Sequence, residues 1–314
     1  MTGPAQERGA AGPAAIDADW AFARYEALRP RLPAMPEGAP EPAAVGDLSE
    51  VVEAHDAFLL DGYGVLNRGG AAVPGAAERV AALRSAGRRV LVLTNSATHE
   101  TALTAARYRA MGFDLAPEEI VSSRDVAAAA LARFEPGLLW GVATDRDAHL
   151  GGLPGRLVPL RDDPGPYADA DAVLLLSADD WTGARQARLL DALARRPRPV
   201  VCANPDLVAP REAGLSLEPG HWAHDLADRL GVEPRLHGKP FAGAFEMALA
   251  RLPGDPDPAR VAMVGDTLHT DVLGAAALGL GSVLVTDHGL LAGRDPHAYV
   301  AASGIRPRYL ARTT

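Results

Sequence analysis

From Phe58 onward, short uninterrupted apolar runs alternate with stretches whose apolar residues recur at helical spacing. The runs are Phe58–Leu60, Val90–Leu93, Ile120–Ser122, Val173–Leu176, Val200–Cys202, Val261–Val264 and Val283–Val285. Between them, helical patterns are predicted over Ala76–Ala86, Thr98–Met111, Val126–Phe134, Ala184–Ala194, His221–Leu230, Ala242–Leu252 and Val272–Leu278. A strand that is apolar at every position has no solvent face, so both faces of its sheet must be covered. Alternation with amphipathic helices supplies that cover, and the pattern predicts an α/β protein with parallel sheets.

Ahead of this region, Asp17 is placed to cap a short helix carrying Trp20, Phe22, Tyr25 and Leu28, which the proline-rich 30–42 stretch ends. Residues 1–15, rich in Ala, Gly and Pro, are expected to be disordered. The long interval from Phe134 to Glu233 repeats the strand–helix alternation on its own and separates two groups of polar strand ends. That is the pattern of a domain inserted into a host sheet. The expected division is an N-terminal extension over 1–45, a first core segment over 46–136, an inserted domain over 137–233 and a second core segment over 234–314. Gly151–Gly155 and Pro164–Pro166 read as loops within the insertion.

At 314 residues, with 48% hydrophobic and 23% charged residues, the chain has the composition of a globular protein with room for two domains. A formal net charge of −9 without a basic run argues against nucleic acid as a partner, though not against a small anion met by a metal and a lysine. No apolar run approaches membrane-spanning length, and the N-terminus lacks the apolar stretch of a signal peptide. A cytoplasmic location is the expectation. The single cysteine, Cys202, lies inside an apolar run and reads as core.

Chemistry concentrates where strands are expected to end. The run Ala57–Leu60 stops at Asp61-Gly62-Tyr63-Gly64, placing a carboxylate at the edge where open α/β sheets bind ligands. After Val90–Leu93 come Thr94 and Asn95, a hydroxyl and backbone N–H groups suited to cradle phosphate, or simply to cap a helix. After Val261–Val264 comes Gly265-Asp266, with Asp271 five residues on. These read as hard oxygen ligands for Mg²⁺, or as helix-entry carboxylates favoured by the helix dipole. Lys239 stands between Gly238 and Pro240, ahead of a helix that can start at the proline. Taken together, the four segments supply a nucleophile, a phosphate-binding hydroxyl, a cation and a metal site, which are the needs of phosphoryl transfer.

Three stretches carry a family resemblance. Residues 61–76, the Asn204-Pro205-Asp206 signature and the segment Val264–Asp271 resemble motifs of the haloacid dehalogenase superfamily, specifically its class IIA phosphatases. The resemblance runs from about Ala57 to Asp287. It implies a Rossmann-like core with an inserted class IIA cap. It also implies a small phosphorylated metabolite as substrate and dimerisation through the cap. Carried over by position, Asp61 would form an aspartyl-phosphate. Asp61, the Tyr63 carbonyl, Asp266 and Asp271 would serve the Mg²⁺ site. Thr94 and Asn95 would bind phosphate, and Lys239 would neutralise it and orient Asp61. Asn204–Leu207 and Ala178–Trp181 are candidate substrate contacts, with Trp181 open to a packing role instead.

The chain departs from the family at Tyr63, where the phosphatases carry a second aspartate that serves as acid and base. A phenol with a pKa near ~10 lends a proton but is a poor base at neutral pH, and losing such catalysis costs on the order of 10²–10⁴-fold. Neighbouring His99, His237 and His269 could compensate for the missing acid–base group, with surface or supporting roles as the competing reading. Two other functions follow from the tyrosine: a catalytically weak or silent binding protein, and a metal-independent 2-haloacid dehalogenase, whose motif also reads Asp-x-Tyr-Gly. The paired acids Asp266 and Asp271 favour the phosphatase.

Overall fold

The computed structural model describes residues 16–146, 148–212 and 214–314; the expectation for residues 1–15 lies outside them. Seven parallel strands form the larger sheet in the order Ala43–Val45, Tyr309–Ala311, Gly281–Val285, Val261–Gly265, Ala57–Leu60, Arg89–Thr94 and Ile120–Ser122. Ala57–Leu60 sits near its middle and is buried at all four positions. Its side chains alternate between two cores, as a strand's period of two requires. Phe58 and Leu60 meet Val80, Leu83 and Tyr108 on one face, while Ala57 and Leu59 meet Phe245 and Ala248 on the other. The doubly apolar run noted in the sequence is this doubly covered strand.

Five more parallel strands make a second sheet, ordered Arg235–Leu236, Val200–Cys202, Ala172–Leu175, Leu139–Ala143 and Arg156–Pro159. One face is covered by the helices Gly183–Arg195 and Pro219–Leu230. The other packs on Ala127 and Leu131 of the helix Ser123–Leu131 and on Ala97, all from the first core segment. Cys202 is buried in this second sheet. A hairpin, Val208–Arg211 with Gly214–Leu217, projects from the insertion.

Several expectations need correction. Arg235–Leu236, assigned to the second core segment, hydrogen-bonds to Val200–Cys202 in the second sheet; a two-residue strand leaves no apolar run to read. Ala43–Val45, assigned to the N-terminal extension, is one of the two edge strands of the main sheet. The helix expected from Thr98 begins at Thr101, so Ser96–Glu100 is free to loop over the site. Pro164–Pro166 is not wholly a loop, because Gly165–Asp169 forms a short helix with proline in its first turn, where a missing N–H costs nothing. The helix expected from Val272 is preceded by a widened π-type turn over Leu268–Val272 and continues as Leu273–Ala277. The N-terminal helix spans Ala18–Ala27, and Asp17 caps it by accepting from the Trp20 N–H at 2.8 Å. None of the described helices is long and apolar enough to cross a membrane.

Candidate active site

Parallel strands deliver their C-terminal ends to one edge, and there the polar segments converge. Asp61 follows Ala57–Leu60, Thr94 and Asn95 close Arg89–Thr94, and Asp266 follows Gly265 on the adjoining strand. Lys239 arrives on the loop returning from the second sheet. Its Nζ lies 2.6 Å from Asp61 Oδ1 and 2.8 Å from Asp271 Oδ1, with its side chain 1% exposed. Oxygens of Asp61, Asp266 and Asp271 all lie within 4.8 Å of one another.

The loop backbone is built around this cluster. Gly64 has φ +79°, and a Cβ there would lie 2.5 Å from Asp266 Oδ2, so both handedness and space call for glycine. The Leu290 N–H donates to Asp266 Oδ2 at 2.7 Å, and Thr267 N–H donates to Asp271 Oδ2 at 3.1 Å. Both carboxylates are thereby held from behind.

One ammonium facing three carboxylates leaves an excess of buried negative charge. Burial pushes the Asp266 carboxyl far above its usual range, and repulsion from Asp271 and Asp61 pushes it further. Asp61 is also raised, by burial first and by Asp271, with Lys239 opposing. Burial works against the Lys239 charge, but Asp271 and Asp61 outweigh it and hold the ammonium protonated. A compact set of hard oxygens with unneutralised charge fits a small divalent cation such as Mg²⁺.

Asn95 has more to do than backbone contact. Its Oδ1 accepts from the Lys239 N–H at 2.7 Å and from Ser123 Oγ at 2.9 Å. Its Nδ2 donates to the Lys239 carbonyl at 2.9 Å and to Asp206 Oδ1 at 2.8 Å. The amide thus fixes the lysine's backbone and ties it to the Asn204-Pro205-Asp206 turn. Burial raises the Asp206 carboxyl well above the ordinary range, with Lys239 opposing.

Asp61, Tyr63, Thr94 and Asn95 line one cavity of about 110 Å³, whose far wall belongs to the insertion through Asp179, Asn204, Asp206, Arg211 and Glu218. Of the expected substrate contacts, Asn204, Asp206 and Asp179 reach this cavity. Trp181 does not: it packs in the insertion's core and donates to Gln186 Oε1 at 3.0 Å. His99 lines the cavity, whereas His269 is buried within the acidic loop itself, between Asp266 and Asp271. His237 does not line this cavity.

Sequence reasoning missed Arg211, the pivotal residue of that wall. Its Nη1 donates to the Tyr63 hydroxyl at 3.1 Å and its guanidinium lies 5.1 Å from the centre of the Tyr63 ring. Nη2 pairs with Glu218 at 3.0 Å and Asp179 at 3.1 Å, and Nε donates to Ser216 Oγ at 2.9 Å. A lone arginine beside a proline in a hairpin carries no sequence signal of this kind. Burial raises the Tyr63 phenol, with Arg211 opposing.

Residues 58–149 match the family of haloacid dehalogenase-like hydrolases, and residues 236–312 match a second HAD-hydrolase-like family. The chain is 33% identical over 241 residues to the D-glycerol 3-phosphate phosphatase of Mycobacterium tuberculosis, covering 76% of this chain and 65% of that protein. It thus spans just under two thirds of that relative's length. It is 31% identical over 260 residues to the glycerol-3-phosphate phosphatase of Gallus gallus, covering 76% of this chain and 82% of that protein. The fold superposes on a possible sugar phosphatase from Cytophaga hutchinsonii with a TM-score of 0.76 at 22% identity, covering 86% and 98% of the two chains. It also superposes on the M. tuberculosis glycerol phosphate phosphatase in complex with magnesium, with a TM-score of 0.66 at 28% identity, covering 83% and 75%. With an acidic cluster at the strand ends, a lysine between two of its members and relatives of this extent, the chain belongs to the haloacid dehalogenase-like hydrolase family.

Proposed function

We propose that this chain is a Mg²⁺-dependent phosphomonoester hydrolase of class IIA, acting on a small phosphorylated metabolite through an aspartyl-phosphate on Asp61. The observation that carries the reading is Lys239 held between Asp61 and Asp271 with Asp266 in the same cluster. The relatives' names, phosphatases of glycerol phosphate and of sugars, support the substrate class. So does a cavity of about 110 Å³, which suits a short carbon skeleton.

Asp61 is the nucleophile, and Lys239 holds its Oδ1 in place while opposing the charge of the incoming phosphoryl group. Thr94 and the Asn95 N–H bind phosphoryl oxygens. Asp61, Asp266 and the Tyr63 carbonyl would hold Mg²⁺, with Asp271 in support; when bound, the ion neutralises charge on the phosphoryl oxygens. Tyr63 accepts from Arg211, so its own O–H is free to donate toward the leaving oxygen in the cavity. Recovering a proton from water is the harder half for a phenol, and turnover should be slow on substrates with poor leaving groups. The paired acids around Lys239 support this reading over the dehalogenase one.

The test is hydrolysis of an aryl phosphate with and without Mg²⁺. Stimulated release of phosphate that vanishes in Asp61→Asn is the expected result. Hydrolysis that survives both EDTA and the substitution sinks the proposal. Mg²⁺ binding without turnover across a broad phosphate-ester panel would instead favour a binding descendant.

A further inference from the structure

The helix Ala18–Ala27 lies outside both matched family regions, yet it reaches the acidic loop, the Asp206 turn and the insertion together. Tyr25 is 3% exposed, and its ring stacks on His269 with centroids 4.9 Å apart and planes 7° from parallel. His269 Nε2 lies 2.5 Å from Glu26 Oε1. The histidine sits in the π-type turn Leu268–Val272, between Asp266 and Asp271, so its ring is the handle by which this turn can be gripped. Such widened turns are rare and are found frequently at functional sites. On its other side, the Tyr25 hydroxyl accepts the Leu207 N–H at 3.0 Å, next to Asp206. Farther along, Arg24 and Arg31 meet Asp228 of the insertion's helix at 2.5 and 2.7 Å.

Resting on the hydrolase reading above, we infer that Tyr25 and Glu26 are positioning residues for the divalent-cation site, acting through His269 to fix the loop that carries Asp266 and Asp271. Neither touches substrate. Their effect is on the spacing of the carboxylates; groups bonded directly to metal ligands typically account for 10–100-fold in metal affinity, and a support one residue removed belongs at the lower end. The Arg24–Asp228–Arg31 contacts are a separate function of the same helix, seating the insertion.

Mg²⁺ affinity of the full-length chain, measured by titration calorimetry, tests this without reliance on turnover. Glu26→Ala is expected to weaken binding about tenfold, and Tyr25→Leu at least as much. Glu26→Gln, which keeps an acceptor for His269, should restore most of the affinity. Asp228→Ala, which removes only the seat of the insertion, should leave Mg²⁺ binding within twofold of wild type. If folded Glu26→Ala binds Mg²⁺ as wild type does and only its Tm falls, the helix is a plain structural brace and the inference fails. Equal weakening in Asp228→Ala also overturns it, since the effect would then travel through the insertion. Should Tyr25→Leu not fold, the two Glu26 variants decide alone. A wild-type chain that binds no Mg²⁺ overturns the hydrolase reading as well, which separates that failure from the narrower one.

Discussion

Arg211 lies against Tyr63, its Nη1 donating to the phenol oxygen at 3.1 Å and its guanidinium 5.1 Å from the ring centre. The pair joins the tip of the inserted hairpin to the first strand end of the core. If the resemblance of residues 61–76 to the family motif holds at this position, Tyr63 stands where the phosphatases carry a second aspartate, and a phenol beside a fixed cation fills it instead.

Tyr63→Asp is expected to raise kcat on a small alkyl phosphate, within the 10²–10⁴-fold that acid–base catalysis supplies. Arg211 beside the new carboxylate would hold it ionised and blunt it as an acid. Adding Arg211→Ala should therefore raise kcat further. Steady-state kinetics of the three proteins check this, and no gain in either variant refutes the account of Tyr63 as the bottleneck.

Lys239→Met leaves Asp61 and Asp271 facing each other without a buried cation. Removing one partner of a buried ion pair typically costs ~3–5 kcal/mol. Urea unfolding at neutral pH without Mg²⁺ should show a loss of that order, together with abolished hydrolysis. A loss below ~1 kcal/mol would mean that water reaches the cluster.

Asn95→Ala removes an amide that makes four hydrogen bonds at the junction of Lys239, Ser123 and Asp206. Each buried group left unpaired costs ~1–3 kcal/mol, so a destabilisation of at least ~2 kcal/mol is expected by denaturant titration. Because the Lys239 backbone is freed, hydrolysis should fall as well. A stable variant with wild-type turnover would show that the amide is dispensable.

Acidity provides a further handle. Asp61 and Asp266 hold protons in the Mg²⁺-free fold that the unfolded chain has already released, because their pKa values are raised in the fold. Where the native state binds more protons, stability falls as pH rises. The Mg²⁺-free protein should therefore lose Tm between the ordinary carboxylate range and about pH 8 from these two groups. Mg²⁺ binding needs both ionised, so the rise in Tm on adding Mg²⁺ should grow across the same window. Thermal scans with and without Mg²⁺ from pH 5 to about pH 8 measure it; a Mg²⁺ increment that shrinks with pH runs against the assignment.

What could be read in advance had a strong local cause. Ala57–Leu60 is apolar at every position because both its faces are buried, and it ends at Asp61 because that edge of the sheet opens to solvent and ligand. The same logic exposed Thr94, Asp266 and Lys239 as a set, and Asp17 as the cap of the first helix. The strands Ala43–Val45 and Tyr309–Ala311 were not legible, since strands of three residues form by pairing with their neighbours rather than by their own pattern.

The partners of polar side chains belonged to tertiary structure alone. Nothing local links Arg211 to Tyr63 across 148 positions, or Tyr25 to His269 across more, because hydrogen bonds and ring stacking depend on distance in space and leave no periodic trace. The sequence by itself determined the kind of sheet and which strand ends carry chemistry, through burial and its periodicity. Folding decided which of those groups touch, how their charges shift one another, and what the inserted domain brings to the shared cavity.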